Sequence, residues 1–242
     1  MVRRTQSGIT TSNVIMSSYM TDNSEVFPEI LDLHVAEGAT IADITYSTGV
    51  FWRNVDQTKY KFLPSDIKTG VDCRSLPYDD ASLDCVVFDP PYMEGFYRRE
   101  EGHLAGEGSH AAFRHYYSNG LASEHSELKY HDRVVDMYMT TAIEARRVLK
   151  SEGVFIVKCQ DEVSANRQKL THVEIIFGYE KLGYYCKDLF VVTRRNKPVV
   201  SKLVKQVHAR KNHSYFLVFV KERGNLRYTN CNDLAASYSL IK

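Results

Sequence analysis

The sequence predicts an α/β protein built on a mostly parallel sheet. Short apolar segments alternate with longer segments of helical periodicity, an alternation typical of strands joined by crossover helices. The apolar segments are hydrophobic on consecutive residues, as expected of strands buried on both faces. With 242 residues, of which 43% are hydrophobic, the chain can bury a full core. We therefore predict one domain over residues 1–242.

Composition and spacing argue against several classes of protein. The five cysteines are scattered and form no C-x-x-C pair, which disfavours disulfide scaffolds and zinc ribbons: Cys73, Cys85, Cys159, Cys186 and Cys231. No apolar run approaches the ~20 residues of a membrane span. The N-terminus is basic but lacks the apolar region of a secretory signal. These features favour a cytoplasmic protein that does not act at a membrane.

The first half of the chain contains one predicted helix and three predicted strands. "FPEILDLHV" has helical spacing, with apolar residues at Phe27, Ile30, Leu31 and Val35. "TIADITYSTG" predicts a strand that ends in a turn of small residues, and "KYKFLPSDI" predicts a second strand. "SLDCVVFDPP" predicts a third strand, buried on both faces, that ends at its acid and prolines.

The second half predicts two helices and three strands. "HDRVVDMYMTTAIEARRVLKSEG" has the clearest helical period, and we expect Gly153 to end this helix. "GVFIVKCQD" predicts the next buried strand, and "VSANRQKLTHVEIIFGYEKLG" predicts a helix that ends at Gly183. "YYCKDLFVVTRR" and "HSYFLVFVKE" predict a closing pair of strands.

Two segments interrupt this alternation. Residues 93–130 form a long connection rich in aromatic residues and histidines, and a loop of that length usually has a functional reason. We predict that it faces the substrate. Its histidines and His131 are spaced by 7, 5, 10 and 6 residues, which fits no compact metal-ligand pattern, so we predict no metal.

The second segment, residues 194–213, is basic in a chain whose net charge is only +1. No acidic residue lies between Asp188 and Glu222, whereas eight lysines and arginines do, as expected of a polyanion site. A solvated charged face is the alternative. The predicted nucleic-acid contacts are Arg194, Arg195, Lys197, Lys202, Lys205, Arg210 and Lys211.

The stretch "LDCVVFDPPYMEGFYRRE" places Asp89 where a buried strand stops, a position at which open α/β sheets bind ligands. A carboxylate oxygen of Asp89 and the main-chain carbonyl of Pro90 are suited to accept the two N–H bonds of an exocyclic amino group on a base. Its nitrogen lone pair is then free to attack a methyl group. Pro91 helps to hold the carbonyl direction, and Tyr92 offers a flat face for an extruded base. The alternative is that Pro-Pro only ends the strand.

Three further acids follow predicted strand ends, in the order Asp43, Asp66 and Asp72. The turn "TYSTG" after Asp43 contains Gly49, which permits close backbone approach and an unusual φ. This order suits an adenosyl-amino-acid cofactor, with Asp66 placed for ribose hydroxyls and Asp72 for adenine.

The order "DITYSTGVFW", "VDCRSLPYDDASLDCVVFDPPY", "RVLKSEGVFIVKCQD" and "KNHSYFLVFVK" resembles the S-adenosylmethionine-dependent DNA amino-methyltransferases of the N6-adenine and N4-cytosine type. The resemblance covers about residues 27–221. It implies a Rossmann-like class I methyltransferase fold with a mostly parallel seven-stranded sheet and a terminal antiparallel hairpin. It also implies base flipping, S-adenosylmethionine as cofactor and no metal.

The resemblance implies roles for individual residues. The catalytic residues it implies are Asp89, Pro90, Pro91 and Tyr92. The cofactor contacts it implies are Asp43, Thr45, Tyr46, Gly49, Phe51, Asp66, Asp72 and Cys73. The turn has a single glycine where many relatives have two or more, and we expect no long separate target-recognition domain within these 242 residues. The 93–130 insertion and the basic segment, or a partner, must therefore recognise the substrate.

Several alternatives stay open at this point. Adenine is favoured over cytosine because Asp rather than Ser opens the motif, and DNA is favoured over RNA. A noncatalytic methyltransferase-fold subunit that binds nucleic acid for a partner is the alternative from a different class, although Asp89 and Gly49 are both intact. Either a homodimer or a complex with a partner subunit is compatible with the sequence.

Overall fold

The computed structural model describes residues 14–93, 130–195 and 205–222, together with Ser12 and Tyr117. Most of the predicted 93–130 insertion therefore lies outside the described residues, and so do Lys197 and Lys202 of the basic segment. The prediction of a single domain over residues 1–242 stays a prediction for the same reason. Among the described residues, no helix has both the length and the apolar character needed to cross a membrane.

Nine strands and three α-helices make up the described part of the chain. The strands are β1 Ser18–Tyr19, β2 Thr40–Asp43, β3 Lys61–Pro64, β4 Leu83–Phe88, β5 Leu149–Cys159, β6 Glu162–Ser164, β7 Arg167–Lys169, β8 Tyr184–Thr193 and β9 His213–Lys221. The helices are α1 Asn23–His34, α2 His131–Val148 and α3 Thr171–Lys181. Short 3-10 helices cover Val50–Asn54, Gln57–Lys59 and Ile67–Thr69.

Seven strands form one sheet in the order β1-β8-β9-β5-β4-β2-β3. β3, β2, β4 and β5 run parallel to one another, whereas β9 is antiparallel to both β5 and β8. The predicted mostly parallel seven-stranded sheet with a terminal antiparallel hairpin is therefore confirmed. The seventh strand is the short β1, which pairs in parallel with β8 at the edge.

β4 is an inner strand, which accounts for its apolar residues from Cys85 to Phe88. Val86 and Phe88 pack into a core covered by α2 and α3, while Cys85 and Val87 pack into a second core covered by α1 and the 3-10 helix Val50–Asn54. Because successive side chains of a strand point to opposite faces, a stretch of strand between two cores needs apolar residues at consecutive positions. Asp89 is the first residue after this buried run.

The predicted end of the second helix was wrong. α2 stops at Val148 and β5 begins at once, with Leu149 paired to Leu83 of β4. The next pair joins Cys85 to Val154, so β5 carries extra residues as a bulge that includes Gly153. A Cβ at Gly153 would lie 2.9 Å from the Lys150 carbonyl oxygen, which is why glycine is needed there. The glycine thus permits a bulge rather than ending a helix.

The predicted start of the third helix was also wrong. Residues 162–169 form the antiparallel hairpin of β6 and β7, and α3 begins only at Thr171. Ala165 and Asn166 at the tip have φ values of 48° and 60°. Two successive left-handed residues are the geometry of a tight two-residue hairpin turn, and this local preference prevails over helical periodicity. The helix does end beside Gly183, whose φ is 88°.

Buried tyrosines tie α2 to its neighbours on one side of the sheet. Tyr138 of α2 donates to the Lys158 carbonyl at 2.9 Å, and Tyr179 of α3 donates to the Tyr138 carbonyl at 2.9 Å. Tyr184 of β8 donates to the Ala142 carbonyl at 2.9 Å. Each aromatic ring fills the core while its hydroxyl satisfies a main-chain acceptor. The end of β5 near Lys158 is therefore held by α2.

We expect Tyr179→Phe to lower the free energy of unfolding by about 1 kcal/mol, because it removes a buried hydrogen bond without changing the ring. Urea unfolding followed by circular dichroism measures the difference. Tyr185→Phe is the matched control, since Tyr185 is 42% exposed, and it should change stability much less. Equal effects of the two substitutions would contradict a structural role for the Tyr179 hydroxyl.

Candidate functional site

The carboxyl ends of β2, β3, β4 and β5 meet at one edge of the sheet because these strands are parallel. Three of the predicted acids lie at that edge: Asp43 ends β2, Asp66 follows β3 and Asp89 follows β4. Sequence order alone suggested this arrangement, and the topology brings the acids to a common edge. Such an edge is where open α/β sheets bind ligands.

Asp89 is held from two directions. Its main-chain N–H donates to Thr45 Oγ1 at 2.7 Å, and the Tyr92 hydroxyl donates to its Oδ1 at 2.8 Å. The first bond joins the D-P-P-Y motif to the turn after β2. The second leaves Asp89 Oδ2 without a hydrogen-bond partner among the described residues. Pro90 is buried, whereas Pro91 and Tyr92 are half-buried. The motif is therefore partly accessible at the edge of the sheet.

Burial governs the electrostatics of Asp89. Desolvation raises the pKa of its carboxyl to about 6, while the bond from Tyr92 and the positive charge of Lys158 act to lower it. Burial and the neighbouring carboxylate also raise the pKa of Tyr92 well above its usual value, so this phenol stays a donor. Near neutral pH the pair therefore consists of a carboxylate acceptor and a neutral hydroxyl.

Lys158 is a member of this site that the sequence analysis did not assign. It lies near the end of β5, is only 1% exposed, and its Nζ has no hydrogen-bond partner among the described residues. Nζ sits 3.8 Å from the centre of the Phe216 ring on β9. Burial lowers the pKa of its ammonium group to about 7. The available signal was a lone lysine within the apolar strand "GVFIVKC".

The turn after β2 is organised around Asp43. This carboxylate is 4% exposed and accepts from Trp52 Nε1 at 2.6 Å and from the Thr45 N–H at 3.0 Å. Burial raises its pKa to about 7. Both carboxylate oxygens thus have partners within the protein, and these bonds fix the conformation of the turn after β2. The indole of Trp52 is a second contributor that the sequence analysis did not assign.

Gly49 lies at the top of the same turn, with φ of 65°. A Cβ at this position would lie 2.5 Å from Tyr46 Oη and 2.6 Å from Tyr46 Cζ. Glycine is therefore required both by the left-handed backbone and by the close approach of the Tyr46 ring. Phe51, two residues further on, is buried against Phe27 and Phe216 and supports the turn from the core.

Asp66 connects the β3 end to the β2 turn. Its carboxylate accepts from the Ser47 N–H at 3.1 Å and from the Lys68 N–H at 2.9 Å, and it caps the 3-10 helix Ile67–Thr69. Each carboxylate oxygen has two lone pairs, so these bonds leave acceptor capacity for a ligand hydroxyl. The acid is thereby held in a fixed direction.

Two other predicted cofactor contacts, Asp72 and Cys73, have strong partners of their own. Asp72 forms an ion pair with Arg74, Nη2 to Oδ2 being 2.6 Å, and this guanidinium holds the pKa of Asp72 below its usual value. The Cys73 thiol is 1% exposed in the core, where it accepts from Thr141. Only the main chain of Cys73 is available to a ligand.

The described basic residues lie at the same edge of the sheet as Asp89. β8 ends at Thr193, which pairs with His213 at the start of β9, so Arg194, Arg195 and the described residues that lead into His213 lie at the carboxyl end of parallel β5 and β8. The Arg194 N–H donates to the Asn212 carbonyl at 2.8 Å. The charge of Arg194 acts on both Tyr92 and Lys158, lowering the pKa of each. Lys205 and Arg210 are exposed.

A cluster of imidazoles and carboxylates follows the end of β5. Asp161 Oδ1 is 2.7 Å from His172 Nδ1, and its Oδ2 accepts from the Tyr215 hydroxyl at 3.3 Å. His131 Nδ1 lies 2.8 Å from Glu162 Oε1. Burial acts to lower the pKa of His131, whereas the hydrogen bond to Glu162 acts to raise it, and the pKa lies above its usual value. These contacts connect the starts of α2, α3 and β9 to the segment after β5. They fix the positions of these elements at the edge of the sheet that holds Asp89.

A family model for DNA methylases of the N6/N4 type matches residues 83–239, more than half of the chain. The chain belongs to the N6/N4 DNA methylase family. The match includes Asp89–Tyr92, Lys158 and the basic segment, whereas Asp43, Gly49 and Asp66 precede it. Membership of this family confirms the resemblance seen in the sequence motifs. No curated protein sequence matches this methylase-family chain.

Solved structures show further similarity. A Thermus thermophilus protein provisionally described as a DNA modification methylase is 16% identical, with a TM-score of 0.37, over 64% of this chain and 51% of its own. A Methanosarcina mazei S-adenosylmethionine-dependent methyltransferase is 11% identical, with a TM-score of 0.49, over 81% and 98%. Thermus thermophilus TrmN is 12% identical, with a TM-score of 0.44, over 82% and 48%. The chain thus spans about half the length of the first of these relatives.

Proposed function

We propose that this protein transfers a methyl group from S-adenosylmethionine to the exocyclic amino group of a flipped base in DNA, with adenine N6 as the favoured acceptor. The observation that carries this proposal is the position of Asp89. Its carboxylate stands at the end of an inner strand, with one oxygen bonded to Tyr92 and the main chain bonded to Thr45. A preorganised acceptor thus stands directly beside the turn after β2.

The reaction requires the lone pair of the amino nitrogen, which is normally delocalised into the base. In the proposed mechanism, Asp89 Oδ2 and the Pro90 carbonyl each accept one N–H bond, which draws the nitrogen toward tetrahedral geometry. When bound, S-adenosylmethionine supplies a methyl group on a positively charged sulfur. Methyl transfer would form an N–C bond and break the S–C bond of the cofactor with its electron pair left on sulfur, and the proton released from the nitrogen would pass to solvent. Pro90 and Pro91 keep the carbonyl direction stiff.

The residues of the β2 turn fit an adenosyl-amino-acid cofactor. Gly49 allows the close main-chain approach that a Cβ would prevent, and Asp66 is fixed with spare acceptor capacity for ribose hydroxyls. In this proposal Thr45 and Tyr46 provide cofactor contacts from the turn after β2. Asp43 and Phe51 hold that turn in place from its buried side. Further along, Asp72 and the main chain of Cys73 would lie toward the adenine.

Tyr92 has a second role in the proposal. Because its hydroxyl is engaged by Asp89, the ring orientation is restricted, and its flat face is suited to stacking with an extruded base. Cytosine N4 and RNA amino groups have the same chemistry, so the motif itself does not distinguish them. A noncatalytic subunit would have no need for the Asp89–Tyr92 bond.

We expect Asp89→Ala to lower methyl transfer by about 100-fold or more, because it removes a preorganised acceptor from the transition state. Labelled S-adenosylmethionine is incubated with parallel pools of DNA and RNA, and nucleoside analysis identifies the methylated base. Cofactor binding, measured by calorimetry, should largely survive.

Asp79→Ala is the control, because Asp79 is exposed in the loop before β4 at the opposite edge of the sheet. It should transfer methyl groups like the wild type. Retention of more than about a tenth of wild-type activity in Asp89→Ala would rule out the acceptor role. A wild-type protein that methylates neither pool would favour the noncatalytic subunit, and label in RNA alone would favour the RNA enzyme.

Gly49→Val should weaken S-adenosylmethionine binding at least tenfold, since it strains the positive φ and forces the Tyr46 ring away. Gly38→Val is the matched control: Gly38 has φ of 82°, but nothing lies within 4 Å of an added Cβ, and the residue precedes β2 at the opposite edge. Both variants therefore carry the backbone strain, and only the first should lose affinity in calorimetry. Unchanged affinity in a folded Gly49→Val protein would place the cofactor elsewhere.

The basic segment is the proposed phosphate contact, with residues Arg194, Arg195, Lys197, Lys202, Lys205, Arg210 and Lys211. Its support is position and charge: the described members extend from the edge that holds Asp89, and no acid lies between Asp188 and Glu222. Phosphate contacts hold the protein on the nucleic acid without reading bases. Base recognition is then left to the 93–130 insertion or to a partner subunit.

Replacing Lys205 and Arg210 by Gln should weaken DNA binding for all sequences alike. It should also flatten the slope of log affinity against log salt by roughly one to two, since each phosphate contact contributes about 0.9. The control replaces Lys61 and Lys181, both exposed at the opposite edge, by Gln and should leave the slope unchanged. Fluorescence anisotropy over a salt series measures this slope. A variant with unchanged salt slope but altered sequence preference would contradict the phosphate assignment.

A further inference from the structure

We propose that Lys158 is a positioning residue of the transfer site, whose ammonium group keeps the Asp89 carboxylate ionised and able to accept the target amino group. This inference rests on the proposed function for its consequence in catalysis. Its physical basis is the interaction between the half-buried Asp89 carboxylate and the buried Lys158 ammonium group, which is a property of the protein alone. Lys158 lies outside the D-P-P-Y motif, on the neighbouring strand.

Strand register places the two groups together. β4 and β5 are parallel, with Val87 paired to Ile156 and Phe88 paired to Val157. The next step along both strands brings Asp89 beside Lys158. Val87 and Ile156 face the core covered by α1, and the period of two carries Asp89 and Lys158 to that same face. Their electrostatic interaction, which acts on the pKa of both groups, agrees with this register.

The described surroundings of Lys158 give its ammonium group an aromatic ring but no hydrogen-bond acceptor. Its Nζ is buried without a hydrogen-bond partner among the described residues, and its nearest aromatic contact is the Phe216 ring at 3.8 Å. Burying an ammonium group costs free energy unless an opposite charge compensates it. A methionine would fill the same space without that cost. The retained charge therefore calls for an explanation in the site rather than in the core.

The charged and titratable groups around the pair come from four elements. Asp89 and Tyr92 follow β4, Cys159 is the next residue on β5, and Arg194 follows β8. From β9 the contact is the Phe216 ring. Asp43 at the end of β2 adds a further negative charge close to Asp89. Of the two cations, Arg194 is exposed to solvent and screened, so Lys158 is the effective counter-charge.

The effect on pH dependence follows directly. An ionised carboxylate accepts the N–H bond of the amino group, whereas a protonated carboxyl offers a donor to the same position. Burial raises the Asp89 pKa to about 6, and Lys158 works against a further rise. Without the cation, the pKa of Asp89 moves upward, and its inactive protonated form extends into the neutral range. Activity is then lost at pH 7 and returns at higher pH.

The test compares wild type with Lys158→Met by two measurements. The first is a carbon-13 NMR titration of the Asp89 carboxyl in the ligand-free protein, with the resonance assigned by Asp89→Asn. We expect its pKa to rise by roughly 1 to 3 on the pH scale, the effect of losing a neighbouring opposite charge in a desolvated site. The second is kcat/KM for methyl transfer between pH 5.5 and 9. We expect a loss at pH 6.5 of roughly threefold for a pKa rise of 1 and more for a larger rise, with the acidic limb displaced upward and recovery toward pH 9.

Two other variants complete the design. Lys158→Arg keeps the charge and should keep the Asp89 pKa close to wild type even if packing lowers activity. Lys150→Met makes the same substitution on the same strand at its opposite end, where Lys150 pairs with Asp84, and should change neither measurement. Thermal unfolding verifies that Lys158→Met is folded, which is expected because an apolar residue replaces a buried charge.

The outcomes separate the two proposals. If the wild type methylates no nucleic acid, the proposed function fails, and the NMR titration still decides whether Lys158 controls Asp89. If Lys158→Met leaves the Asp89 pKa unchanged, or lowers kcat/KM by the same factor at every pH, the inference is wrong and Lys158 is only structural.

Discussion

The hydrogen bond from the Asp89 N–H to Thr45 Oγ1 is the contact on which the arrangement of the site depends. It joins the segment after β4 to the turn after β2, two strands that are adjacent in the sheet although 44 residues separate the partners. Through Thr45 the bond also reaches Asp43, which accepts from the Thr45 N–H and from Trp52. The proposed cofactor turn and the proposed acceptor of the amino group are thus parts of one bonded unit.

Burial of charge is the second constraint on this unit. Asp43, Asp89 and Lys158 all lie at the buried edge, and desolvation moves the pKa of each toward neutrality, to about 7, 6 and 7 respectively. A neighbouring charge shifts a pKa more strongly in a desolvated environment than in water, because the local dielectric is lower. The low polarity that the two cores create is therefore what makes the pKa of Asp89 sensitive to Lys158 and Tyr92.

The corrections to the predicted elements have a common physical origin. Gly153 and the residues Ala165 and Asn166 occupy backbone conformations that depend on local turn geometry, whereas the predictions there relied on hydrophobic periodicity. A bulge at Gly153 keeps β5 paired with β4 up to Val157, next to Lys158. The hairpin at residues 162–169 places α3 so that His172 reaches Asp161. Both irregularities therefore bear on the end of β5.

The sequence by itself determined the α/β class, the buried strands, the closing pair of strands and the D-P-P-Y motif, because apolar runs, strand-ending prolines and strand-end acids are local patterns. It also indicated Asp43, Gly49, Asp66 and Asp89 as site residues, although their roles are still proposals. Only the tertiary structure decided which groups meet. Lys158 and Trp52 come from a distant strand and a 3-10 helix, and strand register with burial brings them to Asp89 and Asp43. Contacts between residues far apart in sequence leave no periodic pattern from which to predict them.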